Sequence, residues 1–169
     1  MPEEKIILRY LSSISTKYKE QYANWLTKGT VSEKDAFVIA INPWEIPWDH
    51  QDADPPRILQ AGYTIGTPYG EVERETLKPI RTGYQSRDKI MKKSEASVDT
   101  GVFQRVEYRG LTALLCSRAE VANRPNEMGG DFQLAPNPNA TVQLPDGFRL
   151  RGIYYDAKKT QDRYEVSPR

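Results

Sequence analysis

The segment KDAFVIAINPWEIPWDH (residues 34–50) joins an apolar run to a loop that contains two tryptophans, two prolines and the only histidine of the chain. The apolar run, AFVIAIN (36–42), has no polar face, and this pattern is typical of a strand at the centre of a sheet that helices cover. Pro43 and Pro47 each lack a backbone donor, so a central strand cannot continue through them. We therefore expect a loop at the carboxyl end of a core strand, where open α/β sheets usually place their functional sites.

A long helix is predicted before this strand. Its apolar and aromatic residues are separated by three or four positions, which keeps them on one helical face. These residues are Ile7, Leu11, Ile14, Tyr18, Tyr22 and Trp25. Gly29 follows as a natural C-terminal cap. We expect the resulting stripe to pack on the strand at residues 36–42.

Three short elements are predicted in the middle of the chain. DADPPRILQAGY (52–63) indicates a short helix, with Asp54 as its cap and prolines at its start. GEVERETLKPIRTGY (70–84) indicates a hairpin whose turn lies near residues 75–78. SRDKIMKKS (86–94) indicates one or two helical turns.

The second half of the chain predicts further strands. GLTALLCS (110–117) is apolar enough for a second buried strand, and DFQLAPNPNA (131–140) for a third, which ends at two Asn-Pro pairs. Between them, RAEVANRP (118–125) indicates a short helix that stops before its proline. In LPDGFRLRGIYY (144–155), a Pro-Asp-Gly turn leads into a final extended segment.

These elements predict a single α/β domain at residues 1–155. Its mixed sheet carries a long N-terminal helix packed on a buried central strand. We expect the remaining residues, 156–169, to form a polar C-terminal tail that is partly disordered, because charged and polar side chains dominate this stretch.

The composition excludes several classes of protein. A net charge of +1 gives no overall attraction to nucleic acid or to an anionic membrane. The single cysteine, Cys116, cannot form an internal disulfide or a cysteine-based metal cluster. MPEEKIILRY (1–10) lacks the pattern of a signal peptide, and no apolar run approaches the roughly 20 residues of a membrane span. We expect a cytoplasmic protein without a membrane partner.

The acidic loop WDHQDAD (48–54) is the best candidate for chemistry. Asp49, His50, Asp52 and Asp54 bring together ligand types that bind divalent ions, and the histidine could act as a base paired with Asp52. Their spacing matches no known ligand loop, however, and the only literal Glu-x-Lys, at Glu3–Lys5, precedes a helix instead of ending a strand. We predict no metal and no cofactor. A further hypothesis is an enzyme that uses Asp49, His50 and Asp52, which requires these three side chains to converge on one pocket.

A nucleic-acid contact is an alternative that the basic residues leave open. Two groups of cations are interleaved with tyrosines, which can stack on bases. The candidate residues are Arg87, Lys89, Lys92, Lys93, Arg149 and Arg151. A solvated surface explains the same pattern.

Several blocks of the chain resemble a known group of proteins. The blocks are ILRYLSSISTKYKEQYANWLTKGTVSEKDAFVIAIN (7–42), DPPRILQAGYTIG (54–66), TGYQSRDKI (82–90), GVFQRVEYRGLTALLCSRAEVANRP (101–125) and GDFQLAPNPNA (130–140). They resemble the C-terminal portion of a largely uncharacterised bacterial family, whose longer members resemble restriction-endonuclease-like proteins. The resemblance implies a nuclease-like remnant, because the acidic strands that bind metal in the longer members have no counterpart in these blocks. Such a remnant would not cut nucleic acid by that mechanism.

We therefore predict a non-catalytic interaction protein that binds a protein partner. One form of this hypothesis is a phage or mobile-element inhibitor of a bacterial defence enzyme. The residues predicted to bind are Trp44, Glu45, Trp48, Asp49 and His50. The alternative is a nucleic-acid-binding accessory domain, or half of a split restriction-like nuclease.

Overall fold

The architecture is mixed α/β, with an N-terminal helix packed on a seven-stranded mixed sheet. The computed structural model describes residues 3–47, 49, 53–120, 124–148, 150–161 and 163–168. Its helices are α1 (Glu3–Thr16), α2 (Ala23–Thr27) and α3 (Arg57–Gly62). Its strands are β1 (Val38–Ile41), β2 (Ile65–Val72), β3 (Pro79–Ser86), β4 (Lys89–Met91), β5 (Ser97–Asp99), β6 (Ala113–Cys116), β7 (Gln133–Pro136), β8 (Ile153–Thr160) and β9 (Arg163–Pro168).

The sheet has the strand order β1-β6-β7-β8-β9-β3-β2. Strand β6 lies parallel to β1, and β8 lies parallel to β7, whereas the other neighbours are antiparallel. Strands β4 and β5 form a separate antiparallel hairpin. One continuous cluster of buried apolar residues joins α1, α3, the sheet and this hairpin. The described residues therefore form a single domain.

The predicted N-terminal helix is present, but it does not bury one uninterrupted stripe. Ile7, Leu11 and Ile14 of α1 lie in the core. A π-helical turn, Lys17–Tyr22, separates α1 from α2. Such a turn inserts an extra residue and rotates all that follows about the helix axis. Trp25 is consequently 39% exposed, so the prediction that it belongs to the buried stripe is wrong.

Strand β1 confirms the predicted strand after the helix, although not its central position. Within the described chain, β1 pairs only with β6 and lies at one edge of the sheet. Ile39 and Ile41 face the core, whereas Ala40 is exposed and its carbonyl accepts a hydrogen bond from Lys17 at 3.2 Å. Phe37, which precedes the strand, is half-buried and stacks on Tyr22 of the helical segment with the ring centroids 4.1 Å apart.

The predicted strands at 110–117 and 131–140 are confirmed as β6 and β7, and the hairpin at 70–84 as part of β2 and β3. The prediction of helical turns at 86–94 is wrong, because this stretch contains β4. Ile90 is buried between exposed neighbours, which is the alternation of a strand rather than the periodicity of a helix.

Two further details of the prediction are corrected. Residues 118–120 are not helical, and residues 121–123 lie outside the described part. Asp54 does not cap α3, whose N-cap position is Pro56. Its carboxylate instead accepts a hydrogen bond from the Tyr84 hydroxyl at 2.5 Å, so a tertiary contact occupies the side chain that local sequence assigned to a cap.

The expected polar tail is also corrected, because most of residues 156–168 belongs to the β8–β9 hairpin. Tyr155 and Tyr164 are buried in the core on neighbouring strands. Polar side chains between them point outward, so the overall polarity of the stretch concealed a two-residue alternation. Among the described residues, no helix has the length and apolar character needed to span a bilayer.

Candidate functional site

The loop that follows β1 is attached to the loop that follows β6. The Asn42 side chain donates a hydrogen bond to the Ala119 carbonyl at 2.9 Å. Its own oxygen accepts one from the Trp44 backbone N–H at 3.1 Å. Because β1 and β6 are parallel, their carboxyl ends meet at the same edge of the sheet. Asn42 thus fixes the start of the loop to this edge.

The loop itself consists of two consecutive turns. The Ile46 N–H donates to the Pro43 carbonyl at 2.8 Å, and the Asp49 N–H donates to the Ile46 carbonyl at 3.1 Å. Pro43 is buried, and Ile46 packs against the hydrophobic core. These contacts hold the backbone of residues 42–47 in a defined path.

Asp49 provides the second attachment of the loop, and it lies in the interior rather than on the surface. It is only 1% exposed. The Tyr10 hydroxyl lies 3.1 and 3.2 Å from its two carboxylate oxygens. Arg57 Nη1 lies 3.4 Å from one oxygen, and Arg118 Nε lies 3.4 Å from the other. Arg57 also donates to the Asp49 carbonyl at 2.8 Å.

The expectation of a partly wet, partner-binding Asp49 is therefore wrong. A buried carboxylate is costly unless cations and donors compensate for the lost water, and α1, α3 and the segment after β6 each supply one such group. We name Tyr10, Asp49, Arg57 and Arg118 the Asp49 network. Its geometry joins the loop to three separate elements.

Cys116 lies beside this network, 3.7 Å from the Tyr10 hydroxyl oxygen. Burial raises the pKa of the Cys116 thiol to about 11, and hydrogen bonding to Tyr10 only partly opposes this effect. Burial also raises the pKa of Tyr10, with further contributions from Cys116 and Asp49. Both groups stay protonated near neutral pH, so neither has the thiolate or phenolate form that nucleophilic chemistry needs.

Asp131 fixes the segment that follows β6, at the carboxyl ends of β1 and β6. One of its carboxylate oxygens accepts hydrogen bonds from the Ser117 hydroxyl at 2.7 Å and from the backbone N–H groups of Arg118 and Ala119 at 2.8 and 3.0 Å. This contact sets the direction in which the chain leaves β6, and with it the position of Arg118.

Sequence reasoning did not identify Tyr10, Arg57, Arg118 or Asp131 as parts of this site. One signal was available, because Arg57 stands in the otherwise mostly apolar helix RILQAG (57–62). A cation in a buried helix requires a partner. That rule predicts a buried acid but does not say which of the 23 acidic residues supplies it.

Trp44 and Glu45 are the predicted binding residues that the structure places on the surface. Trp44 is 59% exposed, and Glu45 is exposed beside it. Trp44 therefore does not fold back onto α1 as a core residue would. Trp48 and His50, which were predicted to bind with them, lie outside the described residues.

The predicted nucleic-acid contacts do not all share one environment. Arg87 donates to the Gln60 side chain, and Arg151 pairs with Glu127 at 2.7 Å. Three lysines are exposed on the β4–β5 hairpin or its turn, namely Lys89, Lys92 and Lys93. Arg149 lies outside the described residues.

Within the described ranges, no group of three or more His, Cys, Asp or Glu side chains is placed to hold a metal ion. Of the three loop residues considered for catalysis, His50 and Asp52 are not described, and Asp49 is occupied by two arginines and a tyrosine. The described geometry therefore resembles a structural anchor more closely than a reactive centre.

Comparison with family models, curated proteins and solved structures found no match to this chain. The resemblance to restriction-endonuclease-like proteins accordingly stays a prediction.

Proposed function

We propose that this chain is a non-catalytic interaction protein that binds a protein partner through the loop at residues 42–47, with Trp44 as the anchor. The observation that carries the proposal is the 59% exposure of Trp44 on a loop whose two ends are both fixed. Asn42 holds one end, and the buried Asp49 holds the other. An exposed indole leaves a large, mostly apolar surface in contact with water, and a protein interface can bury that surface.

A fixed backbone favours binding by this side chain. Association costs free energy when mobile groups become ordered, and a loop that is already ordered pays less of that cost. Tryptophan is among the residues that most often dominate interfaces, where it fills a desolvated pocket of the partner. Glu45, exposed beside it, suits the polar rim that surrounds such an anchor.

The resemblance to nuclease-like proteins motivates one concrete form of the proposal, an inhibitor of a bacterial defence enzyme that acts in the cytoplasm. The alternative, a nucleic-acid-binding accessory domain or half of a split nuclease, has weaker geometric support. Arg87 and Arg151, two of its candidate contacts, are engaged with Gln60 and Glu127.

The test begins with affinity capture of a partner from bacterial lysate by the tagged chain. The identified partner is then purified and titrated with the wild type and with Trp44→Ala. We expect this variant to bind about 30-fold more weakly, which corresponds to loss of an interface hot spot of about 2 kcal/mol. Its thermal midpoint should match that of the wild type, because the side chain is exposed.

Trp25→Ala is the matched control, because it removes an indole that is also on the surface but lies on α2. Its affinity for the partner should equal that of the wild type. Equal weakening by both variants would contradict a specific role for the loop. Copurification of nucleic acid, with affinity that falls steeply as salt increases, would favour the alternative function.

A further inference from the structure

A concave site lies between α1, the β4–β5 hairpin and the two 3₁₀ turns at residues 102–104 and 106–108. Its volume is about 290 Å³. The floor is apolar and consists of Leu8, Leu11, Val98, Val102 and the Tyr108 ring. Apart from Lys92, a predicted nucleic-acid contact, no residue of this lining belongs to a function considered above.

The rim of the cavity carries hydrogen-bond donors of two kinds. Ser12, Ser15 and Thr16 lie three and four positions apart on α1, which places their hydroxyls on one helical face. None of these hydroxyls makes a hydrogen bond within the described chain. Lys92 and Arg105 line the opposite side. The described lining includes these two cations and no acidic residue, so the lining carries a net positive charge.

Arg105 is held in place but is not neutralised. Its guanidinium lies 5.8 Å from the centroid of the Tyr108 ring and donates to the Asp99 carbonyl. Its Nε is buried and has no hydrogen-bond partner in the described structure. Neither Arg105 nor Lys92 forms an ion pair there, in contrast to Arg151, which pairs with Glu127.

We propose that this cavity binds the phosphate monoester of a small apolar group. The phosphate would lie between Lys92 and Arg105 and accept hydrogen bonds from the hydroxyls of α1. A phosphate offers several strong acceptor oxygens, which suits a rim with a guanidinium, an ammonium and three hydroxyls. The apolar part of the ester would cover Leu8 and Val98. The volume is at the small end for ligand sites, so the ligand has about the size of an aryl phosphate.

Isothermal titration of the full chain with phenyl phosphate tests this proposal. We expect saturable binding by the wild type, with inorganic phosphate weaker because it leaves the apolar floor uncovered. Arg105→Gln and Lys92→Gln should each weaken phenyl phosphate binding about tenfold, the effect of losing one charge-assisted contact. The matched control is Lys89→Gln, which removes an exposed lysine of the same hairpin that does not line the cavity, and it should bind like the wild type.

Arg105 packs against Tyr108, so weaker binding by Arg105→Gln could also result from looser packing. Lys92 is exposed, so Lys92→Gln should fold like the wild type and provides an independent test. Wild-type affinity in Lys92→Gln would overturn the proposal. So would equal binding of phenol, which lacks the phosphate, or of inorganic phosphate, which lacks the ring. Binding of a single-stranded oligonucleotide without saturable binding of phenyl phosphate would instead identify an extended nucleic-acid surface and would also overturn it.

Discussion

The two parts of the sheet use the same side-chain chemistry in opposite environments. In the covered part, formed by β1, β6 and β7, the strands have four residues each and α1 and α3 pack against them. In the open part, formed by β8, β9, β3 and β2, the strands have six to eight residues and largely exposed outer faces.

Arginine–carboxylate pairs occur in both parts. Beside the covered part, Asp49 is buried between Arg57 and Arg118. On the open part, Glu165 pairs with Arg81, and both side chains are at least one-third exposed. Solvent screens the exposed pair, whereas the buried carboxylate depends on its partners for compensation of its charge. The comparison teaches that the number of ion pairs says little here, and that their burial decides which of them fix the fold.

Substitution of Asp49 should have the largest effect of those considered. Asp49→Asn keeps the shape of the side chain but removes the charge that faces Arg57 and Arg118. Because breaking a buried pair leaves an uncompensated charge, we expect the free energy of unfolding to fall by about 3 kcal/mol. Urea denaturation monitored by circular dichroism measures this change.

Glu127→Gln is the control for that measurement, because it removes an exposed carboxylate that also pairs with an arginine. Its denaturation midpoint should stay close to that of the wild type. Similar losses in the two variants would show that burial does not distinguish these ion pairs.

Tyr10→Phe should have the next largest effect. The substitution removes only the hydroxyl that donates to Asp49 and contacts Cys116. Loss of a hydrogen bond to a buried charged group should cost about 2 kcal/mol. Tyr84→Phe removes the bond to the exposed Asp54 and should cost less in the same denaturation experiment. A greater loss of stability for Tyr84→Phe than for Tyr10→Phe would contradict the idea that burial makes the contact with Asp49 the stronger one.

The sequence predicted the covered part well, because its strands are short apolar runs with turn residues at their ends. β6 in GLTALLCS (110–117) and β7 in DFQLAPNPNA (131–140) were found in this way. The edge position of β1 could not be predicted, because an apolar run does not show how many neighbouring strands pair with it. An apolar sequence pattern indicates that residues are buried, but it does not show which helix or strand covers them.

The open part was harder to predict, because its many charged residues obscure the alternation of buried and exposed side chains along its strands. Residues 156–169 were expected to be a tail, although Tyr155 and Tyr164 mark the buried face of a hairpin. The candidate site likewise has one feature that the sequence predicted and one that it did not. Exposure of Trp44 followed from the loop sequence, whereas the Asp49 network joins residues far apart in the chain, such as Tyr10 and Arg118, and only the tertiary fold brings them together.

The pH dependence of stability provides a smaller test of burial in the covered part. Cys116 has an ordinary pKa of 9.0, which burial raises to about 11 in the folded chain. The folded state therefore holds a proton that the unfolded state releases, so stability falls as pH rises from 9 to 11. Between pH 9 and 10 this group should contribute a loss of about 1 kcal/mol.

Cys116→Ala isolates this contribution, because the alanine has no proton to release. The variant starts from a lower stability, since it loses a buried sulfur, but its stability should change less between pH 9 and 10. The measurement is a series of urea denaturations across that interval. Parallel pH profiles of the variant and the wild type would show that the thiol does not titrate as its burial implies.

The smallest effect is expected for Glu165→Gln in the open part. Glu165 lies on β9 and pairs with Arg81 of β3, beyond the two residue pairs through which these strands are hydrogen-bonded. Both side chains are solvated, so their attraction is screened and ordering two long side chains offsets much of it. The urea midpoint should change little at low salt and not at all at high salt. A loss that approaches that of Asp49→Asn would mean that Arg81 and Glu165 hold β3 and β9 together where backbone pairing stops, and the open part would then depend on its ion pairs as strongly as the covered part does.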